Sequence, residues 1–264
     1  MSKAEAAYLD NVSRYSEGSK RSAEIILRIV YDLIRPSSVI DVGCSIGTWL
    51  SVCDAVGTKD FLGIDGDYVD RDSLMIPRDS FKAFDLAKSF RIDRRFDLVM
   101  TLEVAEHLPK EAASSFVHSL TELGPVVLFS AAIPFQGGTG HINEQWPEYW
   151  AKLFSEHGYV AVDCIRRKVW NDPNVQVWYA QNCLFFVEES ALRSNAALLR
   201  EYELSNGSPL NIVHPRSYLG AADPKNTDPR TLSFEQCRSG LVFHIKRKVR
   251  SHLHWRLQRL FFKQ

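Results

Sequence analysis

The sequence predicts an α/β protein built on a doubly wound, mainly parallel sheet of seven strands. Three observations predict it. Short β-branched or aromatic runs alternate with segments of helical periodicity from residue 22 to residue 188, the pattern of successive βαβ units. The first run ends in a glycine-bearing turn, Asp41-Val-Gly43-Cys-Ser-Ile-Gly47, directly before a helical segment. Acids close the second and third runs, at Asp65 and Asp85, where a doubly wound sheet gathers its ligands.

Residues 4–34 read as helical, with a break near Glu17-Gly18-Ser19. From Ser22, the residues Ile25, Ile26, Ile29, Val30 and Leu33 recur at helical spacing until Pro36 stops the helix. A buried strand begins at Ser38, and a helix from Thr48 to Val56 is closed by Gly57. Residues 61–65, 80–85 and 96–101 supply three more strands. Pro109 opens a helix that runs to Leu123, in the first turn where its missing N–H leaves no bond unmade. Residues 126–130 form a fifth strand. Glu144 to His157 reads as a helix ended by Gly158, and residues 159–165 and 183–187 as the last two strands. The expected organisation is an N-terminal helical cap (1–36), the sheet domain (37–188), a helix and linker (189–236) and a tail (237–264). Within the linker, residues 205–233 are rich in Asn, Pro, Asp and Gly.

At 264 residues, 45% apolar and 24% charged, the chain has the composition of a globular domain whose core needs no covalent staples. No run of 18 apolar residues occurs, and the first fifteen residues lack the apolar stretch of a secretory signal. The five cysteines include no C-x-x-C pair; reduced thiols in a cytoplasmic protein are expected. The zero net charge conceals an asymmetry, because residues 238–264 hold eight lysines or arginines and no acid. Val242, Ile245, Val249, Leu253, Leu257 and Leu260 fall at helical spacing there, among Lys246, Arg247, Lys248, Arg250, Arg256 and Arg259. Such a basic amphipathic helix suits an anionic membrane, here its inner face. Docking on the chain's own domain or on a partner, or nucleic-acid binding, would use the same pattern. The acidic body makes nucleic acid the unlikely partner.

The turn Asp41 to Gly47 lets the backbone bend sharply and approach a ligand, and the following helix offers free N–H groups at its start. Asp65 lies 22 positions beyond Gly43, a distance suited to a carboxylate that accepts hydrogen bonds from ribose hydroxyls. D-V-G-C-S-I-G, with these two strand-end acids, resembles the class I S-adenosylmethionine (SAM)-dependent methyltransferases, which have a Rossmann-like fold. Ser45 stands where their first motif carries its middle glycine. The resemblance spans roughly residues 20–188 and implies a SAM pocket formed by Asp41, Gly43, Cys44, Gly47, Asp65, Asp85 and Leu86.

After the fourth strand comes Leu102-Glu103-Val-Ala-Glu106-His107-Leu-Pro, two carboxylates and an imidazole at spacings that converge on a helical turn. After the fifth comes Ile133-Pro-Phe-Gln-Gly-Gly-Thr-Gly-His141-Ile-Asn-Glu144-Gln-Trp146, a loop that its glycines should make mobile. Three readings stay open. Glu103, Glu106, His107 and His141 hold a divalent metal such as Mg or Zn; E-x-x-E-H resembles ubiquinone-pathway O-methyltransferases and small-RNA 2′-O-methyltransferases, in which such residues bind a metal. Alternatively His141 is a general base, with Glu106 and His107 beside it. Or His141 caps the helix that starts near Asn143. Trp146, Tyr149 and Trp150, and separately Trp170, Trp178 and Tyr179, form either ligand walls or core. G-H-I-N-E-Q-W-P-E-Y-W resembles methyltransferases of bacterial surface-polysaccharide and natural-product clusters, which implies O-methylation of a sugar, lipid-linked glycan or small-molecule hydroxyl. An RNA 2′-O-methyltransferase and a catalytically silent SAM-binding scaffold are the rival functions.

Overall fold

The computed structural model describes the backbone of residues 3–222, with side chains from Ser16 onward. The chain divides into two compact units, Met1–Ser217 and Tyr218–Gln264; only the first five residues of the second are described, so the expectations for the basic tail lie outside the described residues. In the first unit α1 (Lys3–Ile34) leads into β1 (Ser38–Val42), α2 (Thr48–Ala55), β2 (Asp60–Asp65), β3 (Phe81–Ala83) and β4 (Leu98–Leu102). There follow α3 (Ala113–Leu123), β5 (Val126–Ser130), α4 (Pro147–Ser155), β6 (Tyr159–Val162), α5 (Arg166–Val169) and α6 (Val177–Asn182). β7 (Leu184–Glu188), α7 (Glu189–Ser194) and α8 (Ala196–Ser205) come next, and α9 (Pro215–Ala222) closes the described chain.

The seven strands form one sheet in the order β3-β2-β1-β4-β5-β7-β6. The pairs from β3 to β5 are parallel, and β7 runs antiparallel to both β5 and β6. Alternation of side chains divides the core between the two faces. Val39, Leu98, Met100, Leu128 and Phe185 join one cluster, under α1, α2 and α6. Ile40, Val99, Val127, Phe129 and Phe186 join the other, with Phe116 of α3 and Trp150 and Phe154 of α4. Phe154 stacks on Phe186, with ring centroids 4.0 Å apart. Successive strands are added outward on one side from β1 to β3 and on the other from β4 to β5, and this switch between β1 and β4 opens a crevice at their carboxyl ends.

Four expectations change. Helix α1 runs unbroken through Gly18, where a Cβ would lie 2.4 Å from Gln176 Nε2; the glycine makes room for packing instead of ending the helix. Helix α4 begins at Pro147, not Glu144, because a proline disfavours helical backbone in the residue before it. His141 therefore does not cap it. The strand expected over 159–165 ends at Val162, and Arg166 is already helical. The start of the expected linker is tied down: Arg166 donates to the Leu210 carbonyl at 2.8 Å, and His214 packs on Trp170. The four described cysteines are free and buried.

Candidate functional site

A cavity of about 650 Å³ opens at the carboxyl ends of β1, β2, β3 and β4. Gly43, Ser45, Asp65, Tyr68, Asp85, Leu86, Glu103 and His107 line it. Gly43 takes φ +86°, and a Cβ there would sit 2.3 Å from Val104 Cγ2, so only glycine fits. Its N–H and that of Cys44 donate to the Ile64 carbonyl, which ties the turn to the end of β2. Ser45 adopts the left-handed φ of +50° in the glycine's place, and its N–H donates to Asp65 Oδ2 at 2.7 Å. Asp65 Oδ1 accepts from the Gly66 N–H and the Tyr68 hydroxyl, both at 2.6 Å. Asp65 is thus a buried carboxylate held rigidly at the cavity wall, with acceptor capacity left for ligand hydroxyls.

Asp41, Cys44 and Gly47 are not among the lining residues; they build the turn from behind. Burial, then the charge of Asp65, pushes the Asp41 carboxyl up to about 8. Gly47, at φ +83°, is the residue from which α2 starts. Asp85 is exposed, accepting from Lys88 and from the Ala87 N–H, and the Lys88 ammonium holds it below the usual carboxylate range. Leu86 is a buried wall. The sequence pointed to Asp65, Asp85, Leu86 and Gly43; it did not point to Tyr68, whose contact depends on how the loop after β2 folds back.

On the other rim, the chain after β4 makes a tight turn with Glu103 in the left-handed region at φ +56°, strain of order 1–3 kcal/mol that the surroundings must hold. They do so through side-chain amides. Glu103 Oε2 accepts from Gln136 at 3.0 Å and Oε1 from Asn182 at 3.1 Å. Gln136 in turn accepts from Asn182 and Gln181, and Gln181 accepts from the His214 N–H. Burial pushes the Glu103 carboxyl up. Gln136, Gln181 and Asn182 were absent from the expected site, because amides on a loop and a short helix carry no spacing signal.

Glu106, His107 and His141 do converge: one ligand atom from each lies within 4.8 Å of the others. Glu103 is not part of that group, since its oxygens are taken by the amides. The His107 and His141 rings meet edge-on at 4.9 Å. Glu106 is fully buried, neither of its oxygens meets a hydrogen-bond donor in good geometry, and burial with the Glu103 charge raises its pKa. Burial and the neighbouring His141 hold the His107 imidazole below its ordinary value. Hydrogen bonds tie the glycine-bearing loop to the chain after β4 and β5. The Ile142 and Asn143 N–H groups donate to the Glu106 carbonyl, Gln145 N–H to the Ala132 carbonyl, and His107 Nδ1 pairs with the Gly140 carbonyl. Of the aromatic groups, Trp150 and Tyr179 are core, Trp170 packs on His214, Trp178 lies beside Tyr179 in α6, and none lines the cavity.

Comparison with known proteins agrees with this fold. Among solved structures, Streptomyces venezuelae DesVI is similar at 16% identity with a TM-score of 0.52, covering 71% of this chain and 98% of its own. The magnesium protoporphyrin IX methyltransferase ChlM of Synechocystis, solved with bound SAM, matches at 17% identity and a TM-score of 0.46 over 64% of this chain and 78% of its own. The methyltransferase domain of a bacterial Hen1 matches at 19% identity and 0.45 over 63% and 98%. Of these three, only DesVI is alike enough to speak to the fold, and it agrees with the sheet described above. No curated protein matches the sequence. A family model described as a methyltransferase domain matches residues 13–158, more than half of the chain. With its glycine turn and strand-end acids set around one cavity, the chain belongs to the class I SAM-dependent methyltransferases.

Proposed function

We propose that the chain methylates a hydroxyl of a sugar or related small molecule, with His141 accepting the hydroxyl proton. One observation carries the reading: an imidazole is fixed beside His107 at the rim of the cavity, and His107 itself lines that cavity. SAM supplies an activated methyl group on a sulfonium. What falls to the protein is to hold the donor, align the acceptor oxygen, exclude water and take up one proton. Asp65 would hold the ribose, the Gly43–Ser45 turn the methionine end, and Asp85 and Leu86 the adenine. Alignment of reactants can remove about 7–11 kcal/mol of barrier, and base assistance is worth about 10²–10⁴-fold. Exposed Phe135 and Ile142 and half-exposed Trp146 flank His141 along the loop, apolar surface that suits the faces of a sugar or ring.

A second reading keeps the reaction and adds a divalent cation. Its support is Glu106, a buried carboxyl whose oxygens meet no hydrogen-bond donor in good geometry, beside two imidazoles, a donor set that suits zinc or a harder ion. Glu106, His107 and His141 would hold it, and it would polarise the acceptor hydroxyl. We also propose that the basic tail rests on an anionic membrane at its inner face, which suits a lipid-linked acceptor. No helix among the described residues is long and apolar enough to cross a membrane.

Titration calorimetry with SAM and S-adenosylhomocysteine is the test. Hydrogen bonds to a charged group are worth about 1.5–3 kcal/mol, so Asp65→Ala should weaken SAM binding by about 10- to 150-fold. Labelled SAM with glycan, lipid and RNA extracts then identifies the acceptor. Label on RNA alone would replace the sugar reading, and label on nothing would leave a SAM-binding scaffold. Heat on adding Mg²⁺ or Zn²⁺, lost in Glu106→Gln, would favour the cation reading.

A further inference from the structure

Glu144 lies outside the residues assigned so far, yet its carboxylate collects three groups from one loop. Oε2 accepts the Phe135 N–H at 2.8 Å, and Oε1 accepts the Gly137 N–H at 2.7 Å. Oε1 also lies 3.0 Å from His141 Nδ1. The loop needs such a clamp, because Phe135 and Gly137 both take left-handed backbone, at φ +69° and +72°. Both partners are largely removed from water, with side-chain exposures of 13% for His141 and 19% for Glu144.

A carboxylate only accepts hydrogen bonds, so the ring nitrogen facing it must carry the proton. The geometry points to Glu144 as the positioning residue of the site: it fixes His141 as the Nδ1–H tautomer, so that Nε2 carries the lone pair that would take the acceptor hydroxyl's proton. Nε2 looks toward the other side of the ring, where Glu106 Oε1 lies 4.0 Å away. The inference rests on the reading of His141 as proton acceptor and supplies what that role requires. As the acceptor oxygen bonds to the methyl carbon and the carbon–sulfur bond breaks, the hydroxyl proton passes to Nε2. The imidazolium so formed lies against a carboxylate already in place, which stabilises it without any rearrangement.

The test is long-range ¹H–¹⁵N correlation of the imidazoles in the ¹⁵N-labelled full chain, with His141 assigned by His141→Gln. The wild type should show neutral His141 protonated at Nδ1. Glu144→Ala and Glu144→Gln should move His141 toward the Nε2–H form, with SAM binding by calorimetry as the control for folding. A wild-type His141 carrying its proton on Nε2 would overturn the proposal, and that result needs no variant to fold. So would an unchanged tautomer in both variants. The assignment of His141 as base fails separately: methyl transfer that survives His141→Gln would sink that reading, while the tautomer would still report on Glu144.

Discussion

Asp41 shows how burial first, and a neighbouring charge second, set the state of a carboxyl. Asp65 is fixed by two backbone N–H groups and a phenol, whereas Asp41 sits 3% exposed behind the glycine turn and is pushed up to about 8. A carboxyl with a raised native pKa stays protonated in the folded chain while the unfolded chain releases its proton near pH 4. Its contribution to stability is therefore complete below about pH 4 and is lost as pH climbs to about 8. Asp41→Asn cannot ionise and escapes that loss. Its stability relative to wild type should rise between about pH 5 and pH 8, by an amount of the order of a few kcal/mol, as denaturant titrations at each pH would show. A difference independent of pH would mean that Asp41 is already ionised in the native state. Asp65→Asn should shrink the effect, because it removes the second cause of the shift.

At the scale of elements, the loop between β5 and α4 gathers the polar contacts of the rim beyond β4. It reaches Glu103 through Gln136, Glu106 through two backbone N–H groups, and His141 through Glu144. His141 lies over the backbone of Gly138, where a Cβ would be 2.3 Å from Nε2. Gly138→Ala must displace the ring or the loop, at a cost of about 1–3 kcal/mol typical of overpacking. The expected result is a lower denaturation midpoint and shifted His141 imidazole signals, with the SAM titration unchanged. The sequence could not show this. It revealed His141 and Glu106 as chemistry-bearing types near strand ends, and its glycines suggested motion. Those glycines also serve close approach and left-handed backbone, and the loop's contacts come from polar side chains that only the folded loop brings together. Pro147 is the exception: it marks the start of α4 in the sequence itself, within a helical periodicity that runs over residues 144–157.

Over the whole molecule, the parts that follow strict period and strand-end chemistry were legible, namely the strand order of types, the glycine turn, and the acids Asp65 and Asp85. Partners far apart in sequence were not, such as Asn182 on Glu103 or Gln176 on Gly18, since nothing local encodes them. The charge asymmetry also belongs to this scale. Each lysine or arginine near an anionic surface contributes about 1 kcal/mol, so the full chain should co-sediment with phosphatidylserine vesicles at low salt. Binding should fade at high salt and disappear when residues 238–264 are deleted, and binding that survives the deletion would remove the tail from the account.

The placement of β7 between β5 and β6 has a consequence for the order of assembly. During synthesis, β1, β2, β3, β4 and β5 can pair among themselves as soon as residue 130 has emerged, and with them the cofactor half of the cavity. The open edge of β5 must wait for β7, the last strand among the described residues, to enter between it and β6. Until then that edge offers unpaired backbone to any neighbouring chain. Asn182, which holds Glu103, is carried at the threshold of the same strand. The strands that carry the glycine turn and Asp65 are therefore made before the strand that closes the β5 edge, and a nascent chain stopped short of residue 184 lacks the β7 that Asn182 precedes.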